Sequence, residues 1–138
     1  MKYRYTSFFP PESTVRWIKR PMVQIEVSGP TGKRTFDALI DSGADVSLFN
    51  TQVAELLGFD LSRAKSRNFM GISGGIEAFT LEEVEIQVEG MESSIAIPVS
   101  FVQTASVGLL LGEEGFFDAF RIKFEKDHDM FEIIPARR

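Results

Sequence analysis

The sequence predicts a single, mostly-β domain, and three observations lead there. Apolar and polar residues alternate with a period of two in stretch after stretch, as in strands with one buried face. Clusters of Gly, Pro, Ser, Asn and Asp break those stretches at the spacing of turns. Only one segment carries an apolar stripe at helical spacing. At 138 residues, the chain suffices for one domain that buries roughly two thirds of its unfolded surface. No repeat, linker or low-complexity tract divides it.

Taken in order, residues 1–20 read as an irregular N-terminal arm punctuated by Pro10 and Pro11, with Pro21 at its end. The single domain then spans residues 21–138. Residues 22–27 alternate as a half-buried strand, residues 28–33 supply turn chemistry, and residues 34–40 return as a second strand. Asn50 is placed to cap a short helix whose Val53, Leu56 and Leu57 share one face, with Gly58 ending it. Residues 69–79 hold a Gly-rich tip between apolar flanks, which predicts a long hairpin. Val84, Ile86 and Val88 alternate with acids and Gln87, and Glu82, Glu83 and Glu85 form the solvated face of that strand. Residues 94–101 predict another strand, in which Pro98 favours an edge or a bulge. Leu109, Leu110 and Leu111 form a short buried run ending at Gly112, and residues 113–117 suit one helical turn. Phe120, Ile122 and Phe124 alternate, a polar turn follows, and Phe131 and Ile133 alternate back, so the chain closes with a hairpin.

Composition narrows the chemistry. Hydrophobic residues make up 43% and charged residues 25%, which is ordinary globular composition. Thirteen Phe against one Trp and two Tyr predict a core of apolar rings. A formal charge of −5 argues against a nucleic-acid partner. The absence of Cys excludes disulfides, thiol nucleophiles and thiolate metal sites. The one histidine, His128, lies in a polar turn, so a His-rich metal site within one chain is excluded as well. Neither a metal nor a cofactor is expected. No apolar run approaches the roughly 20 residues of a membrane span, and no signal-like stretch opens the chain. A cytoplasmic protein without a membrane partner is the expectation.

Several motif matches fail on context. Gly71-Ile72-Ser73-Gly74-Gly75 fits the G-x-S-x-G pattern of serine hydrolases, but an alternating strand follows where a helix is required. Ser62-Arg63-Ala64-Lys65 fits S-x-x-K without the accompanying Lys-Thr-Gly. A calcium loop starting at Asp41 has Val46 where Gly is needed and Gln52 where Glu is needed. What survives is an acid at a strand end. In Leu39-Ile40-Asp41-Ser42-Gly43-Ala44-Asp45, an apolar strand runs straight into Asp41 and three small residues. A lone carboxylate, already ionised at neutral pH, is a poor general acid. It becomes useful when a second is forced close, because the two then share one proton and divide the acid and base roles. The chain has a single Asp-Ser-Gly, so the second carboxylate must come from another copy, as twofold symmetry provides.

That segment resembles the active-site signature of retropepsin-like aspartic proteases, the single-domain dimeric relatives of pepsin. Met70-Gly71-Ile72-Ser73-Gly74-Gly75 resembles the tip of the family's flap hairpin, and Leu110-Leu111-Gly112 its segment supporting the active-site loop. The resemblance covers roughly residues 22–125. It implies an all-β, pepsin-like closed barrel with a flap and one or two short helices, acting as a homodimer on a peptide or protein substrate. Asp41 would be the catalytic residue and Ser42 the hydroxyl that locks the two loops. Gly43 would allow close approach, while Ala44 and Asp45 would border the cleft. One departure is Glu113, which stands where retroviral members have an Arg that pairs with the acid matching Asp45. Arg20, Arg67 and Arg121 are the alternative cations. Two other readings stand beside the endopeptidase: a non-catalytic dimeric peptide-binding module on the same fold, and a structural barrel in which Asp41 is only a turn residue.

Overall fold

The computed structural model describes residues 1–8, 18–71, 74–103 and 108–136. Among these residues the strands are β1 (Lys2–Arg4), β2 (Thr6–Phe8), β3 (Ile18–Arg20), β4 (Met22–Gly29), β5 (Gly32–Ile40) and β6 (Ser47–Asn50). After helix α1 (Thr51–Leu57) come β7 (Lys65–Gly71), β8 (Gly74–Val88), β9 (Ile95–Val102), β10 (Leu109–Leu111), β11 (Phe120–Glu125) and β12 (Met130–Pro135). The main sheet runs β4-β5-β10-β6-β9-β8-β7, and β4 also pairs with β8. That last pairing, with Ile25 opposite Val88 and Val27 opposite Ile86, closes six strands into a barrel. The hairpin strand β7 projects from it. The expected all-β closed barrel is the fold observed.

Inward residues of the barrel strands make the core. Val23, Ile25 and Val27 of β4, Ala38 and Ile40 of β5, and Val84, Ile86 and Val88 of β8 are all buried. Phe49 meets Phe101 edge-on at 5.9 Å between ring centres, and both are fully buried. Each such ring contributes on the order of 2–3 kcal/mol by leaving water. Phe116, Phe131 and Ile133 extend the same cluster toward the C-terminus. Among the described residues, no helix is long and apolar enough to cross a membrane.

Three local expectations are revised and a fourth, for Pro98, is met in one of its two alternatives. Residues 2–4, 6–8 and 18–20, read as irregular, are strands: β1 joins β12 and β11 in a second sheet, and β2 pairs with β3. In α1 the Asn50 side chain accepts from the Gln52 N–H and Gly58 ends the helix at φ 73°, both as expected. The buried face, however, is Val53, Ala54 and Leu57, while Leu56 is exposed. At about 100° per residue, Leu56 lies a quarter turn off the stripe that 53, 54 and 57 share. Pro98, expected at an edge or a bulge, meets the second alternative: it lies opposite an irregularity in the β8–β9 ladder, between the Leu81–Val99 and Val84–Ile97 pairs. A residue without an N–H fits where pairing is already interrupted. Finally, the turn at residues 113–117 is kinked, with Glu114 extended at ψ 120° and Gly115 at φ 86°.

Candidate active site

Strand β10 inserts between β5, to which it is parallel, and β6, to which it is antiparallel. Leu110 lies opposite both Leu39 and Leu48, and Leu111 opposite Ile40. The loop joining β5 to β6 must therefore bend around the end of β10, and that loop carries Asp41. The Asp41 N–H donates to the Leu111 carbonyl oxygen at 2.9 Å, so the insertion holds the acid at its root. The Asp41 Oδ1 accepts the Gly43 N–H at 2.9 Å, and the Asp41 carbonyl accepts the Ala44 N–H at 3.2 Å. One carboxylate oxygen is thereby oriented by the turn itself. The other, Oδ2, makes no hydrogen bond among the described residues. Asp41 is half-buried, and Ser42 and Gly43 are exposed beside it.

The far side of the loop is fastened to the segment after β10. Glu113 donates its N–H to the Ala44 carbonyl at 2.8 Å, and Glu114 donates to the Asp45 carbonyl at 2.9 Å. Gly112 lies between these bonds and β10, too close to the loop for any side chain. A Cβ there would collide with the Val46 carbonyl oxygen and stand 2.8 Å from that of Ala44. Leu111 and Gly112 thus meet the loop directly, whereas Leu110 pairs with the strands on either side. Asp45 is exposed and, among the described residues, makes no ion pair, so none of the three arginines considered forms a salt bridge with it.

Ser47 escaped the sequence reading. It is fully buried, and its Oγ accepts the Gly112 N–H at 3.0 Å. A hydroxyl in register with the inward Phe49 was the available signal, since buried polar groups generally have a partner that matters.

The hairpin expected as the flap is β7–β8. Its ladder runs from Lys65 opposite Thr80 to Met70 opposite Gly75 and Gly71 opposite Gly74. Ile72 and Ser73 lie outside the described residues. A cavity of about 310 Å³ lies between the base of the hairpin and the segment around the Asp41 loop, lined by Lys65, Ser66 and Arg67 from the hairpin and by Val46 and Glu114 from that segment. Among the described residues, no group of three or more His, Asp or Glu side chains is placed to hold a metal ion.

A strand-end carboxylate with one oriented oxygen and one open oxygen, on a loop pinned from both sides, is equipped to hold and move a proton on a bound water. No curated protein matches the chain. A family model described as aspartyl protease matches residues 23–114, about two thirds of the chain, from the start of β4 to the residue that anchors Asp45. The match includes Asp41, the β7–β8 hairpin and Gly112, and on this basis the chain belongs to the aspartyl protease family.

Proposed function

We propose that the chain is an aspartic endopeptidase whose active centre is a pair of Asp41 side chains, one from each protomer of a homodimer. The observation that carries this reading is the pinned loop with a single Asp-Ser-Gly and an open Oδ2. One such loop supplies one carboxylate, and peptide hydrolysis without a metal needs a base and an acid together. Between two of them, the ionised Asp41 takes a proton from a water, which attacks the scissile carbonyl carbon. The protonated one, the partner's Asp41, donates to the carbonyl oxygen as it gains charge. The proton taken from water then passes to the leaving nitrogen as the C–N bond breaks, and a hydroxyl of the collapsing diol returns its proton to the partner's Asp41, so the pair again holds one proton. Ser42, exposed beside Asp41, is positioned for the contact between the two loops. The β7–β8 hairpin closes over the peptide through residues 70–75. Residues 21–138 form the working domain.

Subunit mixing tests the shared site. After random exchange with Asp41→Asn subunits, an equal mixture retains about a quarter of the all-wild-type activity at equal total protein, because only wild-type pairs are complete. Retention of about half would mean that each chain holds a whole site and would sink the dyad. Cleavage should also follow a bell in pH with its optimum on the acidic side of neutrality, since the pair works while it holds one proton. That Asp45 makes no ion pair among the described residues favours a second reading, a peptide-binding module without turnover. Saturable peptide binding by a chain that cleaves no unfolded protein would select it.

A further inference from the structure

We infer that the cavity between the hairpin base and the catalytic loop is a subsite that selects a carboxamide side chain, Gln or Asn, in the bound peptide. This rests on the proposed reading of the protein as a peptide-handling enzyme. The cavity follows directly from the loop edge. Val46, which lines it, succeeds Asp45, and Glu114, which also lines it, holds the Asp45 carbonyl through its N–H. Because Val46 lies beyond Asp45, the subsite reads a residue removed from the scissile bond.

Its floor is a pair of hydroxyls. Thr80 Oγ1 and Ser100 Oγ lie 2.8 Å apart and are only 7% and 1% exposed. Two hydroxyls carry two hydrogens, and the bond between them uses one. Among the described residues, neither side chain makes another hydrogen bond. One buried donor is therefore left over at the bottom of the cavity, and such a donor is costly to leave without an acceptor. A ligand oxygen would meet it.

The walls decide what else that ligand carries. Lys65 and Arg67 present donors, while Glu82 and Glu114 present acceptors, and their formal charges cancel. The Lys65–Glu82 pair is loose, 3.8 Å apart with side chains 80% and 63% exposed, so an entering group can displace it. A carboxylate would meet the hydroxyl, but the two cations and two glutamates offer it no net charge to offset its desolvation. An ammonium meets the same cancelling charges and leaves the hydroxyl without an acceptor, and an apolar chain leaves it unmet as well. A carboxamide offers an acceptor oxygen to the floor and two N–H donors to the glutamates. A hydroxyl side chain combines both roles but spans little of about 310 Å³.

The test uses pools of peptides, each randomised at one position, with the full chain. Cleavage is read with the wild type, and binding by fluorescence anisotropy with Asp41→Asn. Gln and Asn should be preferred over norleucine at one position by roughly threefold to tenfold, the worth of one or two hydrogen bonds. Thr80→Val combined with Ser100→Ala, which removes both hydroxyls and with them the leftover donor, should erase that preference. Glu114→Lys, a change at an exposed side chain, should move it toward Glu. Equal use of Gln and norleucine at every position, or no peptide binding at all, overturns the subsite. So does an amide preference that survives in both variants. Amide-selective binding without cleavage by the wild type would instead overturn the endopeptidase reading and leave the subsite standing.

Discussion

The loop around Asp41 and the hairpin from residue 65 to residue 80 are both exposed connections, yet they are held in opposite ways. The loop is fastened at almost every turn, by the Leu111, Glu113 and Glu114 backbone bonds and by Gly112 pressed against it. Among the described residues, the strands of the outer hairpin pair only with each other. Residues 74–77 pair with β7, whereas pairing of β8 with β9 begins at Ala78. Burial changes at the same point, from exposed Ile76 to fully buried Ala78. Segments with little burial and one-sided pairing open at low free-energy cost, whereas fully paired ones open only with the whole domain. The carboxylate that must keep its geometry is on the over-determined element, and the hairpin proposed to admit and release peptide is on the loosely held one.

Substitutions in the two regions should therefore separate. The largest effect falls at the loop: Asp41→Asn should lower turnover by at least 10²- to 10⁴-fold, the usual worth of general acid–base help, with an unchanged far-UV circular dichroism spectrum. Ordinary turnover by this variant would end the catalytic assignment. Gly112→Ala should destabilise the domain by about 3 kcal/mol, because the new methyl group has only backbone to push against. Urea unfolding measures it, and an unshifted midpoint would show that the loop yields more easily than its bonding implies.

Ser47→Ala should cost about 1–2 kcal/mol by leaving the buried Gly112 N–H without an acceptor, and Ser47→Thr should recover most of it. Equal melting of all three proteins would remove Ser47 from the support of the loop. The smallest stability effect belongs to the hairpin. Gly74→Val should change unfolding free energy by less than about 0.5 kcal/mol while impairing turnover. Hydrogen exchange sharpens the contrast: amides of residues 74–77 should exchange far faster than those of residues 97–101 and slow when a substrate analogue binds. Equal protection in the two segments would erase the distinction between them.

The amino-acid pattern by itself determined which residues face inward and where the chain turns. Alternation in β4, β8 and β12 marked Ile25, Val27, Val84, Ile86, Phe131 and Ile133 for the core, because a side-chain period of two is a local property. Asn50 and Gly58 marked the ends of α1 for the same reason, since capping involves only neighbours in sequence. The small residues after Ile40 marked the Asp41 turn, and that turn together with the Gly-rich hairpin and Leu110-Leu111-Gly112 made the family legible. Tertiary structure alone decided the partners. That β1 lies against β12, that β10 enters between β5 and β6, and that Pro98 faces an irregular stretch of β8 all depend on contacts between distant segments. So do the burial of Ala54 in place of Leu56 and the bond from Gly112 to Ser47. Such pairings are set by the closing of the whole barrel, where the loss of chain entropy is recovered only once the distant strands meet, and no short window of sequence carries that information.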